Sequence, residues 1–591
     1  MLENNEYFIN SVLKKHLLPI VLVLLETTIM AFYNSMIVGR VLGSSALAIM
    51  NLASSYTFFY FMLGCLINIG GSVVASVALG KGDTKLVGQY EFYSFIMSII
   101  MPVLISVFFL VFLQSAMDFF GADEALAREA SLYIRIVLIF GFGSTLMYFP
   151  FNFLRLDGRS NVAFGVFGFM LALDVVTVYL VLHAGLGIEA VGLASSLSVL
   201  VADCIGCLFL FFGRGTQIHP ERFGFKETAA MSLNILKAGS SSALNNFCNM
   251  LRTAFMNAII FKAFQTPGLA SFAVGCAVIN LTSATTAGVG QTASPLIGMF
   301  YGERDNAAIN TVQKSAGRYS IKIHVLMTAF FIVMAGPLAS GFGIEPDNME
   351  ATKAVIRIIA LSLCTCGMIN IYIYAFNATK RMIMANLLTF LRSFALVVPI
   401  ASLLAGSGLN IGYTLSCFVI ADIITIGVMF LITAVYKKYD KNLKGRLLLD
   451  GRVEESEVLS FSVQGTGEGA VDAASKVEAF CEEKGVSPKL TMMLPLAIEE
   501  LLVVVAEHCL SNNPSKYSDV RILKNGDDLV IRIRCDGNRF DPIQWYEEQR
   551  ENLSADDLLV DSSLGIKMIK DISKEISFRW TFGYNNLIVV M

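Results

Sequence analysis

The sequence predicts an all-α membrane protein of twelve transmembrane helices in two pseudo-symmetric six-helix bundles, followed by an α/β domain on the cytoplasmic side. Three observations predict it. The chain is 55% hydrophobic and only 15% charged, whereas an ordinary soluble domain carries about 25% charged residues. Hydrocarbon cannot solvate charge, so a chain with many spans must dilute it. Second, Gly80-Lys81-Gly82-Asp83 returns as Gly302-Glu303-Arg304-Asp305, 222 positions later. The same offset relates Phe120-Gly121 to Phe342-Gly343, Ile134-Arg135-Ile136 to Ile356-Arg357-Ile358, and Arg159 to Arg381. Four matches in one register mark an internal duplication, which in an apolar chain points to a transporter of two similar halves. Third, after residue 450 the composition turns charged and soluble-looking.

The expected organisation is a first bundle over 1–213, a loop over 214–237, a second bundle over 238–436, a basic linker over 437–450 and a cytoplasmic domain over 451–591. Met1 to Asn10 is polar and Lys14-Lys15-His16 precedes the first apolar run with no small-residue cleavage site after it, which reads as a retained first helix. A span needs about 20 apolar residues. Six fit near 17–38, 46–79, 92–113, 130–150, 161–183 and 190–213. Six more fit near 239–261, 269–299, 320–341, 354–376, 383–406 and 411–435.

Loop charge sets the orientation. Lys14, Lys15, Lys81, Lys85, Arg155, Arg159, Arg214, Arg222, Lys226, Lys237, Arg304, Lys314, Arg318, Lys322, Lys380 and Arg381 fall on one side, and only Arg40, Arg128, Lys262 and Lys353 on the other. By the positive-inside rule both termini are cytoplasmic, and so are the repeated turns. The expected location is the cell (inner) membrane, multi-pass in the lipid bilayer. Net charge is −3, so no nucleic-acid partner is implied. The cysteines are scattered. Cys204 and Cys207 have redox or zinc spacing but sit inside an apolar run, where Cys packs as a small hydrophobe, and no disulfide framework is legible.

Charges inside spans cost about 2.5–3.5 kcal/mol on insertion scales and are functional candidates by default. Asp174 in the fifth span and Glu26 in the first are such groups, with Asn34 eight positions after Glu26 on the same helix face. For Asp174 the alternative is a packing carboxylate satisfied by Thr177 or a neighbouring helix. Asp203 reads as structural. In the second half, Asn245, Asn246, Asn249 and Arg252 recur at roughly helical spacing, a polar stripe that lines an aqueous cavity or bonds across helices. Gln291 and Pro295 interrupt the eighth span. Arg392 and Asp422 are intramembrane charges expected to pair.

Val38-Gly39-Arg40-Val41-Leu42-Gly43-Ser44-Ser45-Ala46-Leu47-Ala48 and Ala78-Leu79-Gly80-Lys81-Gly82-Asp83 resemble the opening of multidrug and toxic compound extrusion (MATE) transporters of the MOP superfamily. Arg155 to Gly158, Leu173-Asp174, Gly239 to Ser242 at the start of the seventh span and Gly290 to Pro295 in the eighth also resemble that family's pattern. The resemblance implies an antiporter that exports drug-like or other small organic, xenobiotic solutes by alternating access, driven by H⁺ or Na⁺. It makes Asp174 a coupling-cation candidate, beside Asn34 at a position where the family commonly has an acid and Glu26 as an intramembrane acid of the first span. The polar stripe of Asn245, Asn246, Asn249 and Arg252, with Gln291 of the stretch that fits the family, supplies the cavity candidates. Two acids that the family commonly carries fall on Asn34 and Asn249 here. An amide can bind a cation through its carbonyl but cannot take up a proton.

After the basic linker of Lys437, Lys438, Lys441, Lys444 and Arg446, worth about 1 kcal/mol per cation against anionic lipid, the tail reads as mixed α/β. Strands are expected at 456–463, 518–524, 528–535, 576–581 and 586–590, and helices near 469–484, 488–511 and 563–573. Asn525-Gly526 marks a hairpin. Glu499-Glu500 through His508, Asp536-Gly537 through Pro542, and Leu564-Gly565-Ile566 resemble the three motifs of the GHKL ATP-binding domain, in its anti-sigma-factor-kinase branch. The resemblance implies a GHKL sandwich with Glu500, His508, Asp536, Gly537 and Gly565 around a nucleotide. The Mg²⁺-binding Asn of that family falls on Val504, however, and its adenine-contacting acid on Cys535. Mg²⁺ demands oxygen ligands. These departures argue against ATP hydrolysis with Mg²⁺ and against enzymatic activity, with Glu500 a vestigial candidate. They leave a regulatory domain that binds a nucleotide weakly or serves as a module for a cytoplasmic protein partner. The rival readings are a lipid-linked precursor flippase and a membrane-tethered sensor.

Overall fold

The computed structural model describes residues 6–114, 124–213, 225–342, 344, 346–408, 410–451, 457–526, 528–552 and 564–591. Ten helices among them are long and apolar enough to cross a membrane, not the expected twelve. The spans expected at 17–38 and 239–261 are helical but not among the ten. In the second of these, the Asn and Arg stripe dilutes the apolar content. In the first, Glu26 and several neighbours lie outside the described side chains.

The first half has no break at its first glycines. Residues 39–45 were expected to form a loop, yet one helix runs Glu6–Gly64, followed by a π-helical turn at Cys65–Ile69 and a helix at Gly70–Lys81. Gly39 and Gly43 cost only about 1 kcal/mol each in a helix, and no Pro stands nearby to remove a backbone bond. In the second half the break is real. The helical run Phe225–Gly302 is interrupted at Gln265, with φ 55° and ψ −156°, two residues before Pro267.

The duplicated turns share one backbone. Gly82 and Arg304 occupy the same repeat position and both have positive φ, 88° and 57°. Asp83 and Asp305 then cap the helices Thr84–Val111 and Asn306–Gly341, accepting from the backbone N–H of Leu86 and Ala308 at 2.9 and 3.0 Å. A side-chain oxygen on an otherwise orphaned N–H is what stabilises a helix start. The next pair of turns repeats the device, with Gly158 at φ 78° and Lys380 at φ 60°.

The tail contains the five-stranded antiparallel sheet β3-β4-β5-β7-β6, made of β3 (Val458–Gln464), β4 (Tyr517–Asn525), β5 (Asp528–Cys535), β6 (Glu575–Thr581) and β7 (Tyr584–Val590). The expected strands all lie within two residues of these bounds. Asn525 pairs with Asp528 across the anticipated hairpin. Thr466 caps the helix Gly467–Glu483, and Pro488 opens the helix Pro488–His508. A further helix, Pro542–Asn552, and a two-residue ladder between β1 (Leu443–Lys444) and β2 (Leu449–Asp450) were not anticipated.

One face of this sheet, with Val520, Ile522, Ile531 and Ile533, packs on Ile498, Leu501, Leu502 and Val505. The opposite face carries Asp519, Arg521, Arg532 and Arg534. By period-2 alternation it reads as a solvated polar face. It is instead pressed against the repeated turns of the helical scaffold, and Arg534 is 0% exposed.

Candidate functional site

In the first half, the helices Glu6–Gly64 and Ser160–His183 meet at Asn34 and Asp174. Asn34 Nδ2 donates to Asp174 Oδ2 at 2.9 Å and to Ser195 Oγ at 3.5 Å. Both residues are buried. Thr177 does not serve the carboxylate: its hydroxyl donates to the backbone oxygens of Leu173 and Asp174 and meets Ser198 Oγ. Asp174 Oδ1 and Asn34 Oδ1 are left buried without a hydrogen-bond partner. Two unpaired oxygens on adjoining side chains are a donor set for a hard cation, and Asp174 alone can take a proton. No cluster of three or more His, Cys, Asp or Glu side chains suited to a metal occurs among the described residues.

Glu91 escaped the sequence reading because the third span was expected to begin at 92. It lies within the helix Thr84–Val111, fully buried, with neither carboxylate oxygen hydrogen-bonded. A single acid at the edge of an apolar run looks like a loop residue. Asp203 is also buried, with Oδ2 unpaired.

The second half pairs its charges. Arg392 sits in the π-helical turn Leu391–Ala395, a distortion that re-aims side chains. Its Nε donates to Asp422 Oδ1 at 3.0 Å and Nη1 to Asn370 Oδ1 at 3.3 Å, while Nη2 meets Cys366. Thr365 donates to the other Asp422 oxygen at 2.9 Å, so this carboxylate is satisfied. The polar stripe faces the same neighbourhood: Asn245 Oδ1 accepts from Ser393 at 2.9 Å, and Arg252 lies over the Phe418 ring, 5.2 Å from its centroid. Asn246 and Asn249 are half-buried on the same helix. Gln291 is apart from them, its side-chain amide donating to Tyr374 Oη at 3.2 Å while its backbone carbonyl accepts from Arg155 at 3.1 Å.

In the tail, Gly565 lies against the helix bearing Glu500, where a Cβ would strike the Glu500 Cβ; a Cβ on Gly537 would strike the Cys509 carbonyl. Close backbone approach explains both glycines without a ligand. The His508 ring stacks on Phe540 at 4.8 Å and lies 5.2 Å from Trp545. Asp536 accepts from Ser11 of the first helix. Val504 is buried in the core. Cys535 faces Cys509, sulfur to sulfur. Residues 553–563 lie outside the described residues.

A family model described as MatE matches residues 19–180 and 241–403. Among solved structures the chain resembles a MATE protein in complex with MaL6, at 19% identity and TM-score 0.68, covering 73% of this chain and 97% of that one. It is equally similar, at 20% identity with the same coverage and TM-score, to an outward-facing multidrug resistance MATE family transporter of the MOP superfamily. A third similar structure, at 19% identity, TM-score 0.68 and again 73% and 97% coverage, is a MOP superfamily transporter from Pyrococcus furiosus Vc1 (DSM3638). Its reverse-polarity binding pocket is described as suggesting a different function. No curated protein matches.

Proposed function

Because the chain belongs to the MatE family, whose model covers more than half of it, we propose that it is a cation-coupled secondary transporter exporting small organic solutes by alternating access. The observation that carries this reading is the Asn34–Asp174 pair, a buried carboxylate held by an amide and not by a cation, with one oxygen on each side chain unpaired. A buried carboxylate with no fixed counter-charge is stabilised by whatever cation reaches it, H⁺ or Na⁺. It loses that cation when the path opens to the side of lower concentration. Asp422 has no such freedom, since Arg392 neutralises it permanently. The same pairing weakens the flippase reading, because it leaves Arg252 as the cation on the stripe. In this proposal all twelve helical segments span an inner membrane, both termini are cytoplasmic, and the tail regulates the transporter.

The test is gradient-driven efflux of a cationic dye from proteoliposomes, under an imposed H⁺ or Na⁺ gradient, for wild type and Asp174→Asn. The substitution keeps the Asn34 contact but removes the charge, and gradient dependence should disappear. Undiminished gradient-driven efflux in the variant overturns the assignment of Asp174.

A further inference from the structure

We propose that the tail domain is a clamp on the transporter's tail-side gate: it bridges the two halves of the scaffold where they meet and must release before the path can open on that side. The inference rests on the transporter reading and adds a mechanism of regulation to it.

The gate is a seam of backbone contact. The helix Gly70–Lys81 of the first half lies against the last turns of the helix ending at Gly302 in the second. A Cβ on Gly80 would strike the Met299 carbonyl, one on Gly302 the Val77 carbonyl, and one on Gly298 the Ser76 hydroxyl. Only hydrogens in place of side chains let these helices touch. With that seam shut there is no aqueous route through it, and rocking of one half against the other must pull it apart.

The polar face of the tail sheet lies across this seam. Toward the first half, Arg579 donates to the carbonyl oxygens of Leu79 at 3.2 Å and Gly82 at 2.6 Å. Lys15 and His16 donate to the carbonyls of Gly583 and Phe582, at 2.9 and 2.7 Å, in the β6–β7 turn. His16 Nδ1 faces the Ser160 hydroxyl at 2.8 Å, so the ring works as a neutral donor-acceptor, and burial holds its pKa down to about 4. Toward the second half, Arg534 pairs with Glu303 and Asp305 at 2.9 Å each, and Arg521 pairs with Asp305 at 2.9 Å. Arg532 joins the two sides by itself. It donates to the Gly80 carbonyl at 3.3 Å and pairs with Glu303 at 2.7 Å.

Charge explains why this contact can release. Docked, Arg521, Arg532 and Arg534 face Glu303, Asp305 and the tail's own Asp519, and the charges balance. A buried ion-pair cluster is favourable only while its geometry is complete, because desolvation consumes most of the Coulomb energy. Separated, every member regains water. The contact is part apolar, since Phe582 and Tyr584 at the β6–β7 turn are buried in the scaffold's hydrophobic core, and the ion pairs are the part of it that separation returns to water.

The experiment is hydrogen–deuterium exchange on the full-length protein in lipid nanodiscs, comparing wild type with Arg532→Ala and, on the scaffold side, Glu303→Gln. The expected result is exchange at least about tenfold faster over 73–81 and 295–302, a change of about 1.4 kcal/mol in the opening equilibrium. Exchange over 498–505 in the tail core should be unaffected. Faster exchange over 575–584 with an unchanged seam shows that the tail lets go without freeing the gate, and overturns the proposal. No change at either place overturns it too, because these side chains then hold nothing. If either variant loses the tail core, Arg579→Gln, which touches only the first half, decides by the same criteria. The readout needs no substrate. A responsive seam in a protein that moves no dye keeps the clamp and removes the transporter reading, and dye transport with an unresponsive seam does the reverse.

Discussion

In the first half of the scaffold the repeated turn reads Gly80-Lys81-Gly82-Asp83; in the second it reads Gly302-Glu303-Arg304-Asp305. The backbone is one and the same, with a left-handed residue followed by an aspartate cap. Yet Asp83 is exposed while Asp305 is buried between two guanidinium groups. Lys81 is replaced by an acid, Glu303, and the first turn meets the tail through main-chain oxygens where the second adds two carboxylates to the Arg304 carbonyl. Deeper in the scaffold the contrast recurs: Asp174 leans on an amide, Asp422 on an arginine. Each half keeps the same turn, but the side chains differ: one half holds an unneutralised acid and meets the tail at this turn through its backbone, while the other adds carboxylates.

The sharpest way to break this comparison is to remove the partner of each buried acid. Arg392→Met strands Asp422 and should destabilise the second half by about 3–5 kcal/mol. Asn34→Ala removes a hydrogen bond to a charged group and should cost about 1.5–3 kcal/mol. Thermal unfolding in detergent, followed by tryptic mapping of which half opens first, measures both. Equal losses would mean that Asp422 does not depend on its arginine.

A smaller effect separates the two caps. Asp305→Asn keeps the cap but halves the ion pairing, and should weaken tail docking by about 1.5–3 kcal/mol, whereas Asp83→Asn should be silent because Asn caps as well as Asp. Limited proteolysis in the 437–450 linker reports docking. Burial raises the Asp305 pKa, but Arg521 and Arg534 outweigh it and hold it below the ordinary carboxylate value. Its contribution is therefore fully present above the unfolded carboxylate pKa near about 3.9. It is lost as pH falls through the lower folded value, so the difference between Asp305→Asn and wild type should vanish in acid.

The smallest effect concerns the left-handed position. Gly82→Ala should cost up to about 1 kcal/mol, while Arg304→Gly should relieve backbone strain by a similar amount. Calorimetric melting of the two variants compares them, and the same sign for both would show that the turns are not conformationally equivalent.

Much of this was readable in the residues. The constant offset exposed the duplication, and the pairing of Asn525-Gly526 with alternating strands placed the tail sheet. Four things were not readable, each for a physical reason. Asn34 and Asp174 are 140 positions apart, so their hydrogen bond depends on how two helices pack, which no local pattern encodes. Glu91 stands at the end of an apolar run, where an acid is as compatible with solvent as with burial. The run through Gly39 and Gly43 contains residues that permit a turn without enforcing one. Arg521, Arg532, Arg534 and Arg579 alternate with apolar neighbours as any water-facing strand would, and only the acids at 303 and 305, far along the chain, turn that face inward.

The Arg579 and Arg532 bonds to Leu79, Gly80 and Gly82 end on carbonyl oxygens. Every amino acid supplies a carbonyl, so substitutions in the first turn leave those acceptors in place as long as its backbone holds. On the second turn, a single base change at Glu303 or Asp305 removes an acceptor outright. The grip on the first turn is therefore mutationally insulated and the grip on the second is open to selection, which makes the second turn a place where related chains can vary how firmly the tail is held.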